Sequence, residues 1–214
     1  MTRKPQQRTL VTRARILSAA ESLSGDNGLE GVTAEAIAEK AGVAKGTIFA
    51  HFGDMDGLQS YLLLDRLRDL QARSEADGAP AEVLSPDPVA ALMERMMALV
   101  SVISESQTML RVFMENIGVT KGHCAPDFVE ALDALDGKLK TLLEFWQASE
   151  DLKPALRRDR SPEEMVDGLI AFMLHGAILY HSHQIEDLSI TGQRLQRHVE
   201  AFLLEQGPNA GKQS

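Results

Sequence analysis

Thr33-Ala-Glu-Ala-Ile-Ala-Glu-Lys-Ala41-Gly42-Val43-Ala44-Lys45-Gly46-Thr47-Ile48-Phe49-Ala50-His51-Phe52 is the stretch whose reading decides the fold. Thr33 is a capping residue type, and Ile37, Ala38 and Ala41 share one apolar face of the short helix it would open. Gly42 permits a sharp turn because it lacks a Cβ. Ala44 to Phe52 then begins a second helix, in which Ile48 and Phe52, four residues apart, lie on the same side. The spacing predicts two short helices joined by a tight turn, a helix-turn-helix. With Ile48 and Phe52 packed on the first helix, Lys45, Thr47, Phe49, Ala50 and His51 remain around the outer surface.

Outward from this stretch the pattern stays helical. Apolar residues recur at three- and four-residue spacing in Leu10–Leu23, Leu92–Val102, Phe128–Trp146, Met165–Tyr180 and Leu195–Leu203, and no segment alternates as a strand would. An all-α fold of about nine helices is expected, divided by Gly- and Pro-containing breaks. The best signalled start is Ser161-Pro162-Glu163-Glu164, which supplies a cap, a first-turn proline and a glutamate at the third helical position. The first helices are short and closely spaced and the later ones longer and acidic. This places an N-terminal helix-turn-helix domain at 1–57, a helical body at 58–206 and a disordered tail at 207–214.

The outer surface of the second helix suits DNA. Lys45 and His51 can reach phosphates, and the backbone amides of Ala44 to Thr47 form a helix N-terminus that favours anions. Gly46 and Ala50 are small enough for close approach to a duplex, and Thr47 offers a hydroxyl and a methyl to base edges. A net charge of −9 argues against such a partner until it is divided along the chain. Residues 1–57 hold seven Lys or Arg and seven Asp or Glu, so the remainder carries the whole excess of acid. Five of those basic residues, Arg3, Lys4, Arg8, Arg13 and Arg15, fall in the first fifteen positions with no acid among them, a local positive surface on an acidic protein.

At this point the sequence resembles the TetR family of transcriptional regulators. The matching residues are Ile16, Leu17, Ala19, Ala20 and Leu23, then Gly28, Thr33, Ile37 and Ala38, the run from Ala41 to Phe52, and Leu58. The resemblance implies a homodimer that binds a palindromic double-stranded DNA operator and is released by a small-molecule effector held in the C-terminal helices. It implies DNA contacts from Thr33, Ala44, Lys45, Gly46, Thr47, Phe49, Ala50 and His51. Two positions depart from the family's habit: Phe49 replaces a tyrosine and Met55 a lysine, both phosphate-contacting types. Phosphate anchoring is therefore expected to be weaker, or moved to the Arg3, Lys4, Arg8 arm.

Met165, Leu169, Met173 and Tyr180 alternate with Gly168, Ala171, Gly176 and Ala177 along one helix, and Leu195, Val199, Phe202 and Leu203 form an apolar stripe on the last. The resemblance implies that these two helices pair with their symmetry mates, giving Met173, Gly176, Ala177, Leu195, Val199 and Phe202 as interface residues. Closure of the chain's own core is the competing reading, since periodicity does not separate the two. Met93, Met97, Phe113, Met114 and Trp146 are adaptable apolar residues that suit either a core or a pocket. As a set they suggest a largely apolar effector, with His175, Tyr180, Glu115 and Asn116 as polar groups.

No cofactor is expected. His175, His181 and His183 stand six and eight residues apart, so a helix cannot present all three on one face to a metal. Cys124, the single cysteine, cannot form an intramolecular disulfide and is expected to be inert. The longest apolar stretch, Gly168–Tyr180, is too short to span a bilayer, so no membrane partner and a cytoplasmic location are expected. A helical DNA-binding architectural or activating protein without a ligand is the alternative. An enzyme is disfavoured, because no phosphate loop, nucleophile elbow or paired metal motif is present.

Overall fold

The computed structural model describes residues 3–25, 31–76, 87–116 and 125–205. Gly28, Cys124 and the tail from 207 lie outside them, as do the side chains of Arg3, Lys4 and Asn116. The described residues form nine helices and no strand: α1 (Arg3–Ser24), α2 (Ala34–Ala41), α3 (Lys45–Phe52), α4 (Met55–Ala76), α5 (Pro88–Ile103), α6 (Gln107–Asn116), α7 (Phe128–Ala148), α8 (Pro162–His181) and α9 (Leu188–Leu203). The all-α expectation holds. Among the described residues no helix is long and apolar enough to cross a membrane.

The ends of these helices follow from local chemistry. Thr33 Oγ1 accepts a hydrogen bond from the Ala36 amide at 3.2 Å and so satisfies one of the first free donors of α2. At the other end Gly42 adopts φ 61°, ψ 43°, a left-handed conformation that costs a side-chain-bearing residue energy. That conformation turns the Val43 amide to the Ala38 carbonyl at 2.9 Å and the Gly42 amide to that of Glu39 at 3.1 Å. Ser161 and Glu164 form the reciprocal capping box at the start of α8, with bonds of 3.3 and 2.9 Å. Asp87 caps α5 ahead of Pro88.

By packing, the chain divides into two compact units, the first comprising residues 1–68 and 105–132 and the second 69–104 and 133–214. This division follows contacts rather than motifs, so it places α4 as far as Arg68, and all of α6, with the helix-turn-helix. In the first unit Ile16 and Ala20 of α1, Ile37 of α2, Ile48 and Phe52 of α3, and Leu58 and Leu62 of α4 are buried. In the second, α5, α7, α8 and α9 enclose one core containing Leu92, Val100, Leu143, Trp146, Leu169 and Val199.

This core corrects part of the interface expectation. Met173, Ala177, Leu195 and Val199 are buried within the chain itself, so the apolar stripes of α8 and α9 face their own core rather than solvent. Gly176 lies against Thr191, and a Cβ built on Gly168 would stand 2.4 Å from the Phe202 ring. The glycines thus let α8 and α9 of one chain approach closely.

Candidate nucleic-acid interface

The α2–α3 pair displays the residues singled out from the sequence on one short helix. Ile48 and Phe52 are buried, which turns Lys45, Gly46, Phe49 and Ala50 outward and leaves Thr47 and His51 half-buried. Ala44 caps α3 with no side-chain hydrogen bond, since an alanine has no oxygen to offer the first amides. Thr33, exposed at the head of α2, stands at the opening of the same motif.

Electrostatics at this surface differ from the sequence expectation at two places. Lys45 Nζ is paired with the carboxylate of Glu35 on α2 and lies 5.8 Å from the centroid of the Phe49 ring. The hydrogen bond from Lys45 holds the Glu35 carboxyl below its ordinary value. Arg13, one of the five basic residues in the first fifteen positions, donates from Nη2 to the His51 carbonyl at 3.2 Å, and its guanidinium lies 4.6 Å over the Tyr61 ring. It is directed to the end of α3.

Behind the motif, ion pairs tie α4 to the rest of the first unit. Arg111 of α6 meets Asp56 with two bonds, of 2.7 and 2.8 Å, and this pairing depresses the Asp56 carboxyl from its ordinary value. Arg66 reaches Glu21 at 3.2 Å and Glu105 at 3.4 Å, and Arg68 reaches Asp127 at 2.6 Å. The Ala125 amide donates to the buried Ser60 hydroxyl at 2.8 Å. Sequence reasoning missed Glu35, Asp56 and Arg111, because charged partners 10 or 55 residues apart leave no periodic signal. Only the short-range pattern of the helices was available to it.

The residues proposed for an effector pocket have varied environments. Met93 and Trp146 are core residues of the second unit, and Trp146, 1% exposed, donates from Nε1 to the Pro154 carbonyl at 2.9 Å. Met97 packs against the same core. Phe113 is buried in the first unit, where Met114 is 47% exposed. His175 is exposed and Tyr180 half-buried. An open groove of about 370 Å³ lined by Glu144, Gln147, Ala148, Glu150 and Arg158 includes none of these residues.

A buried two-helix ridge, a glycine turn and an outward-facing second helix define a helix-turn-helix DNA-binding domain. Residues 16–62 match the model of the bacterial regulatory proteins of the tetR family, so the helix-turn-helix region is similar to the DNA-binding domain of that family. No curated protein matches the chain. Among solved structures it is similar to FadR of Thermus thermophilus, a TetR-family transcriptional repressor in complex with lauroyl-CoA. The identity is 24% over 93% of this chain and 99% of that one, at a TM-score of 0.56. FadR of Bacillus subtilis in complex with stearoyl-CoA is 17% identical over 87% of this chain and 96% of its own, at a TM-score of 0.58. NalD of Pseudomonas aeruginosa, the secondary repressor of a multidrug efflux pump, is 20% identical over 94% and 100%, at 0.50. At these identities the likeness shows the fold.

Proposed function

We propose that this protein is a cytoplasmic, ligand-responsive transcriptional repressor without enzymatic activity, binding a palindromic operator as a homodimer through α3. The observation that carries the reading is the display of Lys45, Gly46, Thr47, Phe49 and Ala50 on a two-turn helix whose only buried residues are Ile48 and Phe52. Lys45, the amides at the open start of α3, and His51 serve phosphates, while Thr47 reads a base edge. Residues 1–57 are the DNA-binding part and 58–206 the effector and dimerisation part. The dimer contact uses the outer side of α8 and α9, where Ile178 and Ile190 are 41% and 42% exposed.

The effector is a small, largely apolar molecule. Two relatives of the same fold hold acyl-CoA, so lauroyl-CoA and stearoyl-CoA are the first compounds to test. Burial of Met93 and Trp146 in a packed core favours a second reading, a regulator that needs no ligand.

Selection of bound duplexes from a random pool tests the proposal. Recovery of a two-fold symmetric site is expected, and absence of any enriched sequence would overturn it. On that site Lys45→Ala should weaken binding to all sequences and lower the salt slope by roughly one phosphate per subunit, whereas Thr47→Ala should relax preference at one base of each half-site. Release of the operator by either acyl-CoA supports the ligand-responsive reading. Lack of release by these and other apolar compounds supports the second one.

A further inference from the structure

Arg13 stands within the basic run at the start of the chain, yet its guanidinium joins three helices of the first unit. Its Nη2 donates to the carbonyl of His51, in the last turn of α3, at 3.2 Å. The guanidinium carbon lies 4.6 Å from the centroid of the Tyr61 ring of α4 and 5.5 Å from that of Phe52 of α3. Those two rings meet edge to face at 5.4 Å, so the cation rests on a pair already in contact. Its Nε is buried with no hydrogen-bond partner among the described residues.

The bond is made where a helix needs it. The last carbonyls of a helix have no amide within the helix to accept from, and the partial negative charge there favours a cation. A planar guanidinium can donate to the carbonyl and lie over rings at once, which a lysine ammonium cannot do equally well. Besides the exposed Lys45–Glu35 pair at its start, which water screens, the remaining hold on α3 is slight: among its eight residues only Ile48 and Phe52 are buried, one above the other on a single ridge. A single ridge limits separation from α2 but resists rolling poorly. Arg13 supplies a point of attachment off that ridge, at the end of α3 away from Lys45.

We propose that Arg13 is a positioning residue for operator recognition, setting the roll of α3 and thereby its base preference, and that it makes no phosphate contact. The proposal rests on the assignment of α3 as the recognition helix.

The test uses the full-length protein, with fluorescence anisotropy on the selected operator and on a scrambled duplex across a salt series. Arg13→Gln should reduce the ratio of operator to scrambled affinity by roughly tenfold, the scale of one lost base contact, while scrambled-DNA affinity and both salt slopes stay as in wild type. Arg13→Lys, which keeps a cation near the rings, should recover part of that ratio. An equal loss on both duplexes with a slope lower by about one per subunit would show a phosphate contact and overturn the proposal. An unchanged ratio would overturn it as well. If circular dichroism shows Arg13→Gln unfolded, Arg13→Lys carries the test: an intermediate ratio at wild-type slope supports positioning, and a wild-type ratio refutes it. Lys45→Ala separates the two levels, because no loss of binding in that variant would remove the recognition-helix assignment itself.

Discussion

Two helix pairs, α2–α3 and α8–α9, are each closed by small residues, and they report different things. In α2–α3 the buried surface is a few side chains, Ala34, Ile37, Ala38, Ala41, Ile48 and Phe52, and most of α3 is left for display. In α8–α9 the helices are 20 and 16 residues long, and their apolar stripes are consumed by the chain's own core. A short helix that buries little has residues whose identity must be explained by something outside the chain. A long helix that buries much explains most of its sequence by packing alone. The difference teaches why the outward residues of α3 stand out as a candidate DNA surface, while the most apolar residues of α8 and α9 are accounted for by the chain's own core.

The largest expected effect lies in the second region. Trp146 is fully buried in the core shared by α5, α7, α8 and α9, and its indole N–H is satisfied by the Pro154 carbonyl. Trp146→Ala should cost about 3–5 kcal/mol, read from the midpoint and slope of urea unfolding. A loss below about 1 kcal/mol would mean that the indole lines a space rather than fills the core, and would move Trp146 back to the effector pocket.

Next is the dimer. Ile178 is exposed on α8, one turn from the half-buried Leu174, whereas Val199 and Leu195 face inward. Ile178→Glu should leave the thermal stability of the separated chain nearly unchanged, because the glutamate stays in water. It should weaken self-association by roughly a hundredfold, since dimerisation would bury an unpaired carboxylate. Sedimentation of wild type at micromolar concentration should give twice the monomer mass. A dimer that tolerates Ile178→Glu would place the contact elsewhere on the unit.

The same contrast explains what was legible in the sequence. Helix existence, the α2–α3 turn at Gly42 and the capping box at Ser161 were readable because each is encoded within a few consecutive residues. The roles of Glu35, Arg13 and Asp56 were not, since each depends on a charged or aromatic partner brought close only by folding. Of the interface set, Met173, Ala177, Leu195 and Val199 turn into the chain's own core, and the sequence did not reveal this because a periodic stripe has the same pattern whether it faces a core or a partner. Met93, Met97, Phe113, Met114 and Trp146 shared only a type, apolar and adaptable, which is as common in cores, and His175 and Tyr180 were added to them only as polar groups.

Returning to the display side, Met55, the position where the sequence resemblance implies a phosphate-contacting lysine, opens α4 half-buried. Met55→Lys should strengthen binding to operator and scrambled duplexes alike, with a salt slope steeper by about one phosphate per subunit, or roughly two per dimer. Anisotropy over a salt series decides it, and an unchanged slope would show that this turn faces away from the DNA backbone.

The smallest expected effect concerns Glu35, the acid beside the most exposed cation of α3. Glu35 and Lys45 are 64% and 50% exposed, so the pair is screened by water and adds little to folding. Its consequence for DNA is larger than for stability. At neutral pH the Glu35 carboxyl is ionised, the more so because Lys45 holds its pKa down. A phosphate must therefore displace it to reach Lys45, and the carboxylate is then left facing a polyanion. Glu35→Gln removes both penalties while keeping the size of the side chain, and should raise affinity for any duplex by roughly twofold to fivefold, more at low salt than at high. A carboxylate can also accept from cytosine N4, and that role makes the opposite forecast: Glu35→Gln would lower operator affinity and change the preferred base at one position of each half-site. Titration of operator and scrambled DNA at two salt concentrations separates the outcomes, and a loss confined to the operator would make Glu35 a reader of sequence rather than a counter-ion.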